Sequence, residues 1–245
     1  MTGAPLVSIV IPTFREADYL RETLESLKAL GSLPHEIIIS DGGSTDGTLE
    51  IAREYTDKIV VHSGESRQSL GNARNAGAAL ATGTYFLFLD ADVTLHEPRA
   101  FLQELISDFE AHPEITGLTV PLMPTPAYGT LLDRFFVWPL NLWMIIMNNV
   151  LHVGSAGGEF QMIRASAFRQ LGGFREDLVA AEDNDMFFRL SKIGRTYVYL
   201  RPWAYHTCRR AHKVGWLRLY YQWLSNGISF YFSGHAASKE WTVIR

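Results

Sequence analysis

Apolar and polar positions fall along this chain in blocks that alternate between strand-like and helix-like periods. The run Val7-Ser8-Ile9-Val10-Ile11-Pro12 is apolar, and a Pro-Thr turn closes it, so it predicts a strand. A helix is expected from about residue 18, with Tyr19, Leu20, Leu24, Leu27 and Leu30 on one face and Gly31 as its stop. Residues 36–40 predict a second buried strand ending at Asp41. The polar loop after it can cap the next helix through Ser44, Thr45 or Asp46, and that helix runs to about Tyr55. Residues 58–62 predict a third strand. Ser69 opens a helix of small residues, 71–79, able to pack close to a neighbour. Residues 85–89 form an aromatic-rich run, read as a strand buried on both faces, that stops abruptly at Asp90 and Asp92.

Strand–helix alternation repeated three times calls for an α/β fold, a mostly parallel central sheet with helices on both faces. Beyond Asp92 the order loosens. Pro98 starts a helix to about residue 111, residues 115–121 read as a strand, and a Pro-rich turn covers 121–126. Residues 154–158 form a flexible joint, 160–164 a strand, and a short helix runs to 171 before a turn at 172–174. Acids at 182–185 open a helix, where the dipole favours them, and 196–200 is a further strand. The tail, 213–232, is helical and aromatic.

With 245 residues, 47% hydrophobic and 20% charged, the chain suits one large α/β domain or two small ones. A net charge of −4 argues against nucleic acid as a partner. The one cysteine, Cys208, allows no internal disulfide and fits a reducing compartment. The first six residues show neither a basic segment nor a long apolar run, so no signal peptide is expected. Residues 135–151 carry no charge, but Pro139, Asn141, Asn148 and Asn149 interrupt them. They fall short of the roughly 20 apolar residues of a spanning helix, so a buried or interfacial helix is expected. No Gly-x-Gly-x-x-Gly follows the first strand and no Walker A pattern occurs, which excludes the usual dinucleotide fold and a P-loop ATPase.

Chemistry enters at the end of the run 85–89. In extended chain, the side chains of Asp90 and Asp92 leave the same face. Two close carboxylates repel unless a cation separates them, and Mg²⁺ typically takes one or two carboxylates plus substrate phosphates. The pair reads as a metal–diphosphate site or as a solvated turn.

Four landmarks occur in order: Ser8-Ile9-Val10-Ile11-Pro12-Thr13-Phe14; Asp41-Gly42-Gly43-Ser44-Thr45-Asp46-Gly47-Thr48; Ala73-Arg74-Asn75-Ala76-Gly77 running into Asp90-Ala91-Asp92; and Glu182-Asp183-Asn184-Asp185. As an ordered set over about residues 6–205 they resemble the family 2 glycosyltransferases, which have the GT-A fold. The resemblance implies one domain: a Rossmann-like nucleotide-sugar half to about residue 95, an acceptor and catalytic half to about 210, and a C-terminal aromatic-basic helix. It implies inverting transfer of a sugar from a nucleotide sugar, a UDP-sugar foremost, to a hydroxyl acceptor such as a lipid-linked or cell-envelope glycan. It also implies a divalent metal, Mn²⁺ or Mg²⁺.

By the same resemblance, Pro12, Thr13 and Glu16 line the nucleoside pocket, and Asp41, with Gly43 beside it, reads the base. Arg74, Arg209 and Arg210 are donors near the diphosphate. Asp92 binds the metal, with Ala91 between it and Asp90, which stands nearer the ribose; Asp90 and His206 are the further metal candidates. Gly157 and Gly158, with Glu159, belong to an acceptor-side loop. Glu182 and Asp183 match the catalytic acids, with Asp183 as general base. Inverting transfer needs one carboxylate to take the acceptor proton, while the leaving diphosphate needs only charge neutralisation. Plainer roles stay open: a helix cap for Asp41, a surface charge for Arg74, a structural His206, and helix-start charges for Glu182 and Asp183.

The tail mixes Arg209, Arg210, Lys213 and Arg218 with Trp216, Tyr220, Tyr221, Trp223, Phe230, Tyr231 and Phe232, which suits a bilayer surface or a buried core helix. A cytoplasmic enzyme, peripheral on the inner face of the membrane, is the expectation. A nucleotidyltransferase would normally show a Gly-rich basic loop where this chain has Pro12-Thr13-Phe14-Arg15-Glu16. A non-catalytic sugar- or lipid-binding module has no need of all four acids at 90, 92, 182 and 183.

Overall fold

A computed structural model describes residues 5–64, 67–233, 235, 237 and 238. The side chains of Tyr231 and Phe232 lie outside that description. The first half runs β1 (Val7–Thr13), α1 (Leu20–Lys28), β2 (His35–Asp41), α2 (Thr48–Arg53), β3 (Ile59–Val61), α3 (Leu70–Ala79) and β4 (Tyr85–Leu89). It continues through β5 (Val93–Leu95), α4 (Pro98–Ala111), β6 (Ile115–Thr119), β7 (Leu122–Pro124), α5 (Leu131–Ile145), β8 (Phe160–Arg164) and α6 (Ala165–Gln170). It closes with α7 (Glu182–Ile193), β9 (Arg195–Val198), β10 (Ala204–His206), α8 (Arg209–Val214) and α9 (Trp216–Ser233).

Seven strands form the main sheet in the order β3-β2-β1-β4-β8-β6-β9. The first four pair in parallel, and β8 runs antiparallel to both β4 and β6. The apolar run of β4 is explained by its place. Tyr85, Leu87 and Leu89 face the core shared with α1 and α4, while Phe86 and Phe88 face the opposite core with Phe168, Phe174 and Phe187. A strand covered on both faces has no reason to alternate polarity. The small residues of α3 let it lie against this sheet: a Cβ on Gly77 would come 2.4 Å from Val10 Cγ1. Ser69 caps α3, its hydroxyl accepting from the Asn72 N–H at 3.2 Å. None of Ser44, Thr45 and Asp46 takes the N-cap position of α2, which falls on Gly47; Asp46 Oδ1 instead accepts from the Thr48 N–H at 3.2 Å in the turn before it.

Three expectations need correction. The chain does not stay extended after Leu89: the Val93 N–H donates to the Asp90 carbonyl, so Asp90 and Asp92 sit in a turn and point to different partners. The stretch 121–126 is not simply a turn, because Leu122–Pro124 is a strand. It forms an edge of a second sheet, β5-β10-β7, and edge strands tolerate proline. The uncharged helix starts earlier than residue 135, on a capping box in which the Thr130 hydroxyl accepts from the Asp133 N–H while Asp133 accepts from the Thr130 N–H.

Asp133 is buried and also accepts from Trp216 Nε1 at 2.7 Å and bonds His212 Nε2 at 2.8 Å, which fastens α5 to α8 and α9. Burial pushes its carboxyl up, but these donors outweigh burial and hold it at about 2. The helix passes into a π turn over Ile146–Val150. Among the described residues no helix is long and apolar enough to cross a membrane.

Candidate active site

One cavity of about 680 Å³ opens at the ends of β1 and β4. Pro12, Thr13, Glu16, Arg74, Asp90, Ala91, Asp92, Gly157, Gly158, Glu159, Glu182, Asp183, His206, Arg209 and Arg210 all line it. Asp41 and Gly43 stand behind the wall. The Asp41 carboxylate is engaged by its own loop: Oδ1 accepts from the Gly43 and Ser44 N–H groups at 2.9 and 2.7 Å, and Oδ2 from the Thr13 and Ser44 hydroxyls at 2.8 and 2.7 Å. Four donors fill a carboxylate, and Gly42 is the residue of this loop that reaches the cavity.

Arg74 is fully buried, so the plain surface role is ruled out. Its guanidinium donates to Glu182 Oε1 at 2.7 Å, to Asp90 Oδ1 at 3.3 Å and to the Gly158 carbonyl at 3.1 Å, and it lies over the Phe174 ring. A Cβ on Gly158 would come 2.7 Å from Arg74 Nη2, so any side chain here would push the guanidinium from its place.

Asp92 belongs to a second cluster. Its Oδ2 accepts from the Thr207 hydroxyl at 2.6 Å, lies 2.9 Å from Arg209 Nε, and lies 3.5 Å from His206 Nε2. Arg209 also binds Glu16 bidentately at 2.6 and 2.9 Å. Burial pushes Asp92 up, but His206, Arg209 and Thr207 outweigh it and hold the carboxyl below its ordinary value. Burial works against the His206 proton, yet Asp92 raises the imidazole to about 10. Thr207 was not anticipated, since a hydroxyl beside a histidine carries no sequence signal.

Asp183 differs from both acids. Its Oδ1 accepts from the Asn184 N–H and side chain at 2.7 and 3.2 Å, and among the described residues Oδ2 accepts no hydrogen bond. Burial pushes its carboxyl up to about 8, with neighbouring Glu182 adding and Arg74 opposing. Burial likewise lifts Asp90 to about 7, against the pull of Arg74. Two raised carboxyls in one cavity mark a place that favours added positive charge.

The backbone leading into these groups is strained. Arg15, Ala181 and Cys208 take left-handed φ values of 57°, 65° and 56°, and each directly precedes a site residue: Glu16, Glu182 and Arg209. Such conformations cost non-glycine residues on the order of 1–2 kcal/mol and cluster at functional sites.

A sequence profile described as Glycosyl transferase family 2 matches residues 8–172. The chain belongs to glycosyltransferase family 2. A family 2 relative described as a PGL/p-HBAD biosynthesis glycosyltransferase of Mycobacterium bovis is 40% identical over 99 residues, 39% of this chain and 38% of that protein. Chondroitin synthase of Escherichia coli is 29% identical over 192 residues, 78% of this chain and 27% of that protein. The chain thus spans well under half the length of these curated relatives.

Among solved structures, S. aureus TarS 1–349 in complex with UDP-GlcNAc is similar at a TM-score of 0.61 and 21% identity, over 81% of this chain and 57% of that one. Mannosyltransferase PcManGT from Pyrobaculum calidifontis, in complex with GDP-Man and Mn²⁺, is similar at 0.63 and 21%, over 84% and 58%. These likenesses show the GT-A fold. The family 2 match ends at residue 172, before Glu182, Asp183, His206 and Arg209.

Proposed function

We propose that this chain is an inverting glycosyltransferase that moves a sugar from a nucleoside-diphosphate sugar, a UDP-sugar foremost, to a hydroxyl acceptor. The observation that carries this reading is the unengaged Asp183 Oδ2 in a cavity that also holds the Asp92–His206–Arg209 cluster. In the reaction, the acceptor oxygen forms a bond to the anomeric carbon as its proton passes to Asp183. The bond to the diphosphate breaks with its electron pair on the leaving oxygen. Arg74 engages Glu182 and Asp90 through hydrogen bonds, so Asp183, with Oδ2 unengaged, is the acid placed to exchange a proton. Asp90 stands on the ribose side, and Asp41 supports the nucleoside pocket from behind through the loop of Gly42.

Asp92 and His206 would hold a divalent ion once His206 gives up the proton that Asp92 now favours, the ion replacing that positive charge. A carboxylate and an imidazole nitrogen 3.5 Å apart make two ligands, and Mn²⁺ or Mg²⁺ can complete its shell with diphosphate oxygens and water. Among the described residues no three His, Cys, Asp or Glu side chains gather as a closed cage, which favours an ion held jointly with the donor. When bound, such an ion neutralises charge on the leaving diphosphate. Arg209 and Arg210 supply cationic donors on the same side. The solved relatives bound to UDP-GlcNAc and GDP-Man support a nucleotide-sugar donor. A pure binding module would have no use for the unengaged oxygen of Asp183.

The working location proposed is the inner membrane surface. Leu131, Phe135 and Trp138 of α5 are 82%, 70% and 65% exposed, as are Leu217 and Tyr221 of α9 at 78% and 74%. Arg134, Lys213 and Arg218 are exposed among them, a mixture suited to anionic headgroups over an acyl layer.

Screening nucleotide sugars for donor hydrolysis and transfer, with Asp183→Asn alongside, tests the reading. It fails if no nucleotide sugar is turned over, or if Asp183→Asn transfers at the wild-type rate.

A further inference from the structure

The cavity does not end at Asp183. It continues as a trough between α5 and α9, walled by Val137, Leu140 and Met144 on one side and Leu219, Tyr220 and Trp223 on the other. The two helices are clamped near one end. Phe136 stacks on Trp216 with ring centres 5.2 Å apart, the Tyr220 hydroxyl donates to the Phe136 carbonyl, and Trp216 donates to Asp133. The trough therefore has a fixed wall, not one that collapses when empty.

Its polar groups are few, and among the described residues Asn226 Nδ2 is the one trough donor buried without a partner. Asn141 accepts from the Leu122 N–H and donates to the Leu122 carbonyl, and Asn226 Oδ1 accepts from the Ser238 N–H. The charged groups that suit a diphosphate, Arg209 and His206 beside Asp92, belong to another part of the same cavity. A free glycan laid in the trough would lose water from its hydroxyls and find few replacements. A hydrocarbon chain would gain by burial there. The trough also has a way out, because Trp143 and Leu224 line it while remaining 51% and 60% exposed.

We propose that the acceptor is an amphiphile, whose hydroxyl-bearing head reaches Asp183 while its hydrocarbon tail lies between α5 and α9. This rests on the glycosyl-transfer reading and names the acceptor class for it.

The test is binding of n-alkyl β-glucosides from butyl to decyl, each below its micelle concentration, in the presence of UDP and Mn²⁺. Tryptophan fluorescence reports the binding, since Trp143 and Trp223 line the trough. The dissociation constant is expected to fall up to about fourfold for each methylene buried. Leu140→Gln is expected to flatten that dependence, and Leu224→Gln, at the exposed rim and safe for folding, to weaken it. A dissociation constant independent of chain length overturns the proposal. So does a chain-length dependence that both variants retain in full, because the tail would then lie elsewhere. Tightening that appears only when sedimentation shows monomer, with dimer blocking it, means a second copy covers the trough and also overturns it. UDP binding is measured in the same wild-type samples. UDP bound with no chain-length effect removes the acceptor class alone, whereas no binding by any nucleoside diphosphate removes the transferase reading with it.

Discussion

Arg74 and Glu182 are 108 residues apart in the chain, yet their side chains meet at 2.7 Å with 1% and 6% of their surface exposed. A buried pair of this kind ties α3 to the start of α7, and it is costly to break from one side only.

Arg74→Met is accordingly expected to destabilise the fold by about 3–5 kcal/mol, because Glu182 would be left buried without its cation. Thermal unfolding should show a Tm lower by on the order of 10 °C. Gly158→Ala keeps the pair but pushes a Cβ to 2.7 Å from Arg74 Nη2. It is expected to cost activity at least about tenfold with a much smaller change in Tm, since a misplaced catalytic group loses rate faster than the fold loses stability.

Asp183→Asn should lose transfer and gain stability. The carboxyl is raised to about 8 in the folded chain and titrates near 3.9 when unfolded. Between those values the folded state binds the extra proton, so stability falls as pH rises through about 4 to 8. Removing the acid removes that loss, so at pH 8 the variant should be more stable than the wild type. The base works only when ionised, so wild-type kcat/KM should rise with pH to a plateau, with a midpoint at or below about 8. A pH–rate profile that falls over this range would contradict the role.

Asp92→Asn is expected to abolish the cooperation between metal and nucleotide. In the wild type, UDP with Mn²⁺ should stabilise the fold well beyond either alone, by about 2.7 kcal/mol when the ligand is at a hundred times its dissociation constant, and raise Tm accordingly. In the variant the increment from Mn²⁺ should vanish while any metal-independent UDP binding persists, as read by thermal shift.

Ala181→Gly tests the strained step into α7. Glycine adopts φ near 65° without penalty, so stability should hold or rise by up to about 1 kcal/mol. The turnover number should drop, because a looser start to α7 no longer fixes the Asp183 carboxylate. Parallel Tm and kcat measurements separate the two effects.

The sequence was most readable where one residue's surroundings were complete in its own stretch. β4 was legible because a strand covered on both faces is apolar throughout, and Ser69 because a cap acts within three residues. The small sheet β5-β10-β7 was not, since strands of three residues leave no period to detect. The turn after Leu89 escaped notice for the same reason. Thr130 and Asp133 did carry a capping-box spacing, four residues before the stretch taken as the helix. Asp41 looked like a ligand-facing acid, and only the folded loop shows its four donors. The trough was invisible because α5 and α9 lie far apart in the chain and meet through side chains such as Asp133, Phe136, Trp216 and Tyr220.

The antiparallel strand β8 sits in the middle of the sheet, between β4 and β6, although it is made late. During synthesis the segment from β1 to β4 must therefore wait, with the edge of β4 open, until residue 164 has left the ribosome. A fragment ending near residue 95 would keep that edge exposed and invite self-association. The chain before β4 and the chain after it are thus woven through one shared sheet, and neither leaves it without opening a new edge.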